Sequence, residues 1–269
     1  MQITVVVENF CTNRLLRAEW GYSVYLESPT TRALLDTGSE AHGFVHNLKV
    51  LKIDPKMIEH IILSHAHFDH TGGLVDAIML APQAKRWGAR TITRQRWGDA
   101  DHKRNGGGGP LFENLLTDPI DTWAQISNEL IAFTVPENAR DPRFVNSKNM
   151  WEETESGEII PDTFADDLSL LVKGQNGFSV ILGCAHAGLP NILRYAQETF
   201  SVDSFDTVLG GTHLSAATDK ELPVWIDALK AFRVRRWRPN HCTGFKAAAA
   251  MARAFEDVDW AGCGTRLTL

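Results

Sequence analysis

The sequence lacks any apolar run that approaches the roughly 20 residues of a membrane-spanning helix. It also lacks paired cysteines, since its 4 cysteines are scattered without a Cys-x-x-Cys pair. Such usage indicates reduced thiols. The opening residues 1–8 carry no basic segment and no long apolar segment, so we interpret them as a first strand and not as a signal peptide. We therefore expect a soluble cytoplasmic protein with no membrane partner.

An excess of positive charge is also absent. The formal net charge is −6, which argues against general nucleic-acid binding. Of the 269 residues, 43% are hydrophobic and 22% are charged, as in an ordinary globular protein. This length allows one large core, and we expect a single domain over residues 1–269. The residues leave open whether the protein forms a homo-oligomer.

Strand patterns dominate the beginning of the chain, and strands alternate with helices towards its end. Apolar and β-branched runs predict early strands at residues 3–7, 22–26 and 32–36. From residue 168 onwards, a predicted hairpin is followed by a helix, a strand and further helices. Alternation of this kind is typical of an α/β fold.

The stretch between residues 83 and 165 is the least regular part of the sequence, and we expect a variable cap or lid insertion there. It is rich in lysine and arginine, including Arg94 and Arg96, and it contains a glycine run at residues 106–109. Because charge runs usually face water, we interpret most of these cations as a solvated surface beside a loose loop. The alternative is a lid whose cations meet an anionic substrate, for example a phosphorylated one.

A dense group of metal-ligand side chains follows the apolar run at residues 61–64. The group consists of three histidines and one aspartate, at His65, His67, Asp69 and His70. In an extended segment, residues two apart point to the same side, so His65 and His67 can hold one metal together. The next residues must turn, which can aim Asp69 and His70 at a neighbouring position. Imidazole and carboxylate ligands suit zinc, iron or manganese better than calcium or magnesium.

Further histidines lie at the ends of predicted strands in the second half of the chain. They are His186, His213 and His241. Each precedes a turn or a helix, so each is expected at one edge of the sheet, where the sites of open α/β folds lie. We predict that His186 and His241 belong to the metal site. His213 has three open roles: a ligand, a proton donor or a substrate clamp.

Together these motifs resemble those of the metallo-β-lactamase-fold superfamily, over nearly the whole chain outside the irregular stretch. The resemblance rests on residues 36–38, 65–70, 183–186, 210–214 and 241–244. It is strongest to the branch of dihydropterin-linked ribofuranosylaminobenzene phosphate synthase-like metal-dependent hydrolases. It implies an α/β fold, a four-layer αββα sandwich with mixed sheets, in which loop ends between the sheets hold the metals.

The resemblance also implies ligands for one or two divalent transition metals, with zinc favoured. The implied ligands are His65, His67 and His186 for the first metal, and Asp69, His70 and His241 for the second. Asp36 is expected to support the site by orienting a ligand histidine through its other ring nitrogen. Cys184 stands where many members have an aspartate shared by both metals. It is either a thiolate ligand or a packed thiol beside the ligands, and we favour the packed thiol.

Such a site points to hydrolysis of a small molecule. A metal with an open position lowers the pKa of its bound water to about 7 and polarises the bond under attack. We expect metal-bound hydroxide to attack an ester, thioester, lactone or phosphoester. The expected catalytic residues are Asp69 and His213, with His213 protonating the leaving group. The alternatives are a metal-containing binding or sensor protein without turnover, and a di-iron redox protein on the same fold.

Overall fold

The computed structural model describes residues 1–11, 13–98, 103–107, 112, 114–145 and 149–269. The strands, in chain order, are β1 Gln2–Val7, β2 Ser23–Glu27, β3 Arg32–Leu35, β4 His60–Ile62, β5 Lys85–Ala89, β6 Arg96–Gly98, β7 Lys103–Gly106, β8 Asp118–Ile120, β9 Trp123–Ser127, β10 Leu130–Thr134, β11 Met150–Glu153, β12 Ile159–Pro161, β13 Leu168–Gly174, β14 Gly177–Ile181, β15 Phe205–Gly211, β16 Val234–Asn240 and β17 Arg266–Thr268. The α-helices are α1 Ala41–Leu51, α2 Phe68–Thr71, α3 Leu74–Leu80, α4 Leu189–Phe200, α5 Glu221–Leu229 and α6 Phe245–Ala254. None of these helices of the described residues has the length and apolarity that crossing a membrane requires.

The described strands form two large sheets and a smaller one. The first has the strand order β17-β1-β2-β3-β4-β5-β8, and the second has the order β16-β15-β14-β13-β10-β9. Both are mixed, because β3 to β5 pair in parallel in the first sheet and β14 to β16 pair in parallel in the second, while other pairs are antiparallel. The third sheet, β12-β11-β6-β7, is antiparallel.

Side-chain alternation along the strands explains the layering. On β2, Val24 and Leu26 enter the core between the two large sheets, whereas Tyr25 joins a second cluster with residues of α1 and α3. On β13, Leu170 faces the core between the sheets, whereas Leu171 packs in a cluster with residues of α4, α5 and α6. Since neighbouring strand residues point to opposite faces, helices cover both outer faces. The predicted αββα sandwich is therefore confirmed.

Most elements predicted from apolar periodicity are present, but one early helix is not among the predictions. The hairpin after residue 168 is β13 and β14, and the early strands are β1, β2 and β3. Helix α1 contains Gly43 and two histidines, which have weak helix propensity. Its buried Phe44 and Leu48 pack in the cluster on the outer face of the first sheet. Tertiary packing therefore stabilises a helix that local propensity does not indicate.

The strands within residues 83–165 are distributed over all three sheets. Strands β5 and β8 extend the first sheet, β9 and β10 extend the second, and the rest form the third. Gly108 and Gly109 of the glycine run lie outside the described residues. The interpretation of the cations as water-facing is wrong for Arg96, whose side chain is 1% exposed and pairs with buried carboxylates. The ion pairs offset the cost of burying a guanidinium. Because the side chain is buried, Arg96 is inaccessible to a substrate. The role of this stretch as a lid stays a prediction.

The parallel strands bring the candidate site residues to their carboxyl ends. In the first sheet, Asp36 follows β3, and residues 65–70 lie beyond the end of β4. In the second sheet, His186, His213 and His241 lie beyond the ends of β14, β15 and β16. Parallel strands have their carboxyl ends at one edge, so each sheet presents its predicted residues together.

Candidate metal centre

The first cluster contains His65, His67 and His186. The chain is extended between the end of β4 and the start of α2, and His67 occupies the position just before that helix. Nε2 of His65 lies 3.1 Å from Nδ1 of His67. One ligand atom from each of the three histidines lies within 4.8 Å of the others, and all three residues are buried. The structure thus brings together the set predicted for the first metal.

The second cluster contains Asp69, His70 and His241. Asp69 and His70 lie on the single turn of α2, while His241 follows β16 directly. Nε2 of His70 lies 3.2 Å from Nε2 of His241, which is 3.4 Å from Oδ2 of Asp69. The three residues offer one ligand atom each within 4.8 Å of one another. This is the set predicted for the second metal, and its role as ligands stays a prediction.

Cys184 lies between the two clusters. Its Sγ is 3.1 Å from Nε2 of His70, and a ligand atom of His65 is within 4.8 Å of both. The residue is buried, and burial raises the pKa of its thiol well above the ordinary value. Without a cation beside it, this sulfur is therefore protonated, as a packed thiol would be. Its contact with His70 also gives it the position of a shared ligand, so both interpretations stay open.

Burial keeps the imidazoles of His65 and His67 neutral. It lowers the pKa of His65 well below the ordinary value, and the neighbouring histidines lower it further. Burial also lowers the pKa of His67 to about 4, although nearby Asp69 opposes the shift. Neutral imidazole is the form that ligates metals. These two side chains are thus prepared for a metal at neutral pH without releasing a proton.

The second cluster carries opposite charges instead. Burial would lower the pKa of His70, but the carboxylates of Asp36 and Asp69 outweigh it and raise that pKa to about 9. Burial likewise opposes ionisation of Asp69, yet His70 and His241 hold the pKa of its carboxyl well below the ordinary value. Asp69 is therefore a carboxylate at neutral pH. A cation at this cluster would replace the proton that His70 holds.

Asp36 supports both histidine clusters from behind. Its Oδ2 lies 2.6 Å from Nδ1 of His70 and accepts a 2.6 Å hydrogen bond from Oγ of Ser64. Its Oδ1 accepts a 2.7 Å bond from the Ser64 amide. The Ser64 hydroxyl is also 2.8 Å from Nδ1 of His65. This arrangement leaves Nε2 of His70 and Nε2 of His65 facing the clusters, which is the orientation that the predicted supporting role requires.

Glu8 and Asn9 hold His241, and neither is among the predicted site residues. Oδ1 of Asn9 lies 2.9 Å from Nδ1 of His241, and Oε1 of Glu8 accepts a 2.7 Å bond from the His241 amide. Both residues follow β1, which runs antiparallel to β2 as β3 does. The carboxyl end of β1 therefore lies at the same edge as that of β3. Their position directly after a predicted strand is the sequence feature that could have indicated a place at the site.

His213 lies beside the first cluster but outside both ligand sets. Its ring centroid is 4.2 Å from that of His186, and its amide donates a 3.3 Å bond to Sγ of Cys242. The residue is partly exposed. Its backbone has φ of 50°, and Asp36 and His241 have φ of 58° and 48°. Left-handed backbone at residues with side chains is costly and concentrates at functional sites.

The donor atoms fit a divalent transition metal. Two imidazoles of the first cluster face each other at 3.1 Å through ring nitrogens, and the second cluster adds a carboxylate and a neighbouring sulfur. Nitrogen, sulfur and oxygen donors in this number match zinc, iron or manganese. The fold implies a divalent metal, and the histidine clusters agree with it.

Comparison with known proteins agrees with the motifs. A family model described as the metallo-beta-lactamase superfamily matches residues 19–200. A protein of Methanocaldococcus jannaschii named 7,8-dihydropterin-6-methyl-4-(beta-D-ribofuranosyl)-aminobenzene-5'-phosphate synthase is 28% identical, over 84% of this chain and 80% of its own length. An uncharacterised protein of the same organism is 25% identical over 93% of this chain and 94% of its own. The crystal structure of Tm1679, described as a metal-dependent hydrolase of the beta-lactamase superfamily, superimposes with a TM-score of 0.84 and 27% identity, over 100% of this chain and 99% of that chain.

Proposed function

Because this chain belongs to the metallo-beta-lactamase superfamily, we propose that it is a metal-dependent hydrolase of an ester, thioester, lactone or phosphoester. One observation carries the proposal. Ligand atoms from distant parts of the chain converge in two adjacent groups, each within 4.8 Å, at the edge where the sheets end. Their number and chemistry exceed what packing of polar residues needs. The structural neighbour Tm1679 is itself described as a metal-dependent hydrolase.

Six side chains would hold the metals. They are His65, His67 and His186 for one, and Asp69, His70 and His241 for the other. When bound, one or two divalent ions, zinc being favoured and iron or manganese being the alternatives, would supply an activated water near neutral pH and polarise the bond under attack. Asp36, Asn9 and Ser64 contact the Nδ1 atoms of His70, His241 and His65 respectively, so that the Nε2 atoms of these three rings face the clusters.

Asp69 and His213 have the proposed catalytic roles. The carboxylate of Asp69 stays ionised, because His70 and His241 hold its pKa low, and it can accept a hydrogen bond from an attacking water. His213 is partly exposed beside His186, where its imidazole can give a proton to the leaving group. A general acid of this kind contributes typically about 10²- to 10⁴-fold in rate.

The relative from Methanocaldococcus jannaschii supports a second candidate. Its name is that of a synthase whose product joins a dihydropterin to a ribofuranosylaminobenzene phosphate. On this scaffold, a synthase would use the same clusters to bind a phosphorylated small molecule while excluding water from the reacting carbon. Binding or sensing without turnover and di-iron redox chemistry are further alternatives.

The cysteines support a cytoplasmic location for any of these functions, because all four are free thiols and none forms a disulfide.

Turnover by the metal-loaded protein tests the proposal. The protein is loaded separately with zinc, manganese and iron and incubated with an ester, a thioester, a lactone and a phosphodiester. We expect one class to be hydrolysed, with the rate lost in His67→Ala and reduced about 10²-fold or more in His213→Gln. The matched control is His46→Gln, which changes a partly exposed histidine that contacts the Leu15 carbonyl.

Each other outcome favours a different function. Hydrolysis of none of the classes with any of the metals contradicts the proposal. Condensation of a dihydropterin with an aminobenzene derivative by the same preparations would then support the synthase. Visible absorbance that bleaches on reduction, with iron as the purified metal, would support redox chemistry.

A further inference from the structure

Arg96 is a buried cation that the proposed reaction does not use. Its side chain is 1% exposed, at the start of β6 in the third sheet. Its Nε lies 2.9 Å from Oδ2 of Asp162, and one terminal nitrogen lies 3.0 Å from Oδ1 of Asp166. Its other terminal nitrogen is 3.6 Å from Glu152. A guanidinium has a rigid, planar set of donors, so one such group fixes several carboxylates at once.

The Asp166 carboxylate extends from Arg96 to the first cluster. While Oδ1 pairs with Arg96, its Oδ2 accepts a 2.9 Å hydrogen bond from the amide of Ala66, in a buried contact. Ala66 is the residue between His65 and His67. The spacing of those two imidazoles therefore depends on backbone that this carboxylate holds.

The Asp162 carboxylate extends from Arg96 to the third histidine of the same cluster. While Oδ2 pairs with Arg96, its Oδ1 accepts a 2.7 Å hydrogen bond from the amide of Phe164. The ring of Phe164 stacks on the ring of His186, with centroids 4.0 Å apart and planes within 4° of parallel. Phe164 is fully buried, with φ of 51°, and its carbonyl oxygen also accepts a 3.0 Å hydrogen bond from Arg140.

The third sheet also contacts the metal loop through its backbone. Gly106 at the end of β7 forms an isolated antiparallel bridge with His67. A Cβ on Gly106 would lie 1.9 Å from the Ala66 carbonyl oxygen, and φ there is 151°. Only glycine allows this approach. The third sheet thus reaches residues 65–67 from two directions, by β7 and by the carboxylates around Arg96.

We propose that Arg96 is a positioning residue for the first metal site, acting through Asp166 on the His65–His67 pair and through Asp162 and Phe164 on His186. The inference rests on the proposed metal site but not on hydrolysis. It assigns to the third sheet a role in metal affinity at the first site. The second cluster shares the support of Asp36 and Ser64 with His65. None of the bonds described above joins it to Arg96, Asp162 or Asp166. Weakening Arg96 should therefore affect the two sites unequally.

The test compares Arg96→Lys and Asp166→Asn with Arg94→Lys. Lysine at position 96 keeps the charge, but a single ammonium cannot span both carboxylates. Asparagine at position 166 keeps the shape but loses the ion pair. Arg94 pairs with the same Glu152 at 3.1 Å, so Arg94→Lys makes the same chemical change without a bond to Asp162 or Asp166. Zinc affinity is measured by chelator competition, and hydrogen exchange of residues 64–67 is measured in the metal-free protein.

We expect the affinity of one zinc per chain to fall about 10- to 100-fold in Arg96→Lys and Asp166→Asn, with the other unchanged. Hydrogen exchange at the Ala66 amide should become faster in Arg96→Lys and in Asp166→Asn. Arg94→Lys should have the zinc affinity and the exchange rate of the unmodified protein. The exchange result does not require a metal, so it stays informative if the proposed function fails. Parent-like affinity and exchange in both variants would overturn the inference. Loss of zinc affinity in Asp166→Asn but not in Arg96→Lys would assign the positioning role to Asp166 and exclude Arg96. If Arg96→Lys does not fold, the result for Asp166→Asn decides.

Discussion

Oδ2 of Asp36 lies 2.6 Å from Nδ1 of His70, with both side chains fully buried. The same carboxylate takes two further hydrogen bonds from Ser64. A buried carboxylate with this many partners holds the histidine ring in one orientation and makes its other nitrogen a better donor to a metal. One aspartate after β3 thus orients two candidate ligands, His65 after β4 and His70 on α2.

Replacing Asp36 by asparagine should weaken metal binding by about 10- to 100-fold. The asparagine side chain has nearly the same volume as that of aspartate. It lacks the negative charge that stabilises the His70 ring, and its single oxygen cannot replace both carboxylate oxygens that accept bonds from Ser64. Zinc affinity by chelator competition is the measurement, with circular dichroism to establish folding. Asp54→Asn is the control, because Asp54 accepts a backbone bond at a short turn before β4. Unchanged affinity in folded Asp36→Asn would show that Asp36 only closes its own turn.

Cobalt substitution should decide the role of Cys184. Its sulfur is 3.1 Å from Nε2 of His70, so a thiolate ligand there would give a cobalt ion at the second cluster sulfur-to-metal charge-transfer absorption in the near ultraviolet. Because burial raises the pKa of this thiol, we expect a packed thiol and no such band. A band that is lost in Cys184→Ser would instead assign Cys184 as a ligand. Cys263→Ser is the matched control, since Cys263 is another buried cysteine and contacts Glu8. A parent spectrum without the band would assign Cys184 as a packed thiol.

The sequence predicts that the candidate site residues which follow strands come together, and the structure does bring them together. The run at residues 65–70 and the histidines after β14 and β16 needed only strand-end logic and a family resemblance. Asn9 and Glu8 are not predicted because their role depends on contacts with His241, more than 230 residues further along the chain. Local patterns do not encode such contacts. The prediction that Arg96 faces water is wrong for a similar reason, because its three carboxylate partners lie more than fifty residues further along the chain. A run of charges by itself predicts contact with water.

Stability should depend on pH through Asp162. Burial raises the pKa of Asp162 to about 7 from the ordinary 3.8, with Asp166 and Glu152 adding to the rise and Arg96 opposing it. Between these values the folded protein keeps a proton that the unfolded chain has released. Its stability therefore falls as pH rises through this interval, by up to about 1.4 kcal/mol per pH unit for one group.

Asp162→Asn removes that titration, so urea unfolding across the interval should give a flatter dependence on pH than the parent. The slope is informative even if the substitution shifts stability by a constant amount. Asp121→Asn is the control, since Asp121 is fully exposed and its pKa is lowered by Arg90. Equal slopes in Asp162→Asn and the parent would mean that the carboxyl stays ionised beside Arg96.

Elemental analysis of His67→Ala and His241→Ala should separate the two clusters. His67 belongs to the group with His65 and His186, and His241 to the group with Asp69 and His70. If each group holds its own ion, each variant loses one metal per chain and retains the other. The two losses should add in the double variant, because neither histidine is a member of the other group. His46→Ala, at a partly exposed position away from both clusters, should keep the metal content of the unmodified protein.

The contrary patterns are equally informative. The rings of His65 and His70, one from each group, have centroids only 4.1 Å apart. A single ion at their junction would therefore be lost in both single variants, and the protein would be mononuclear. Retention of all metal in both variants would place the ion outside these histidines and would remove the basis of the proposed reaction. The same analysis identifies the metal, since zinc, iron and manganese are measured together and the three differ in which donors they favour.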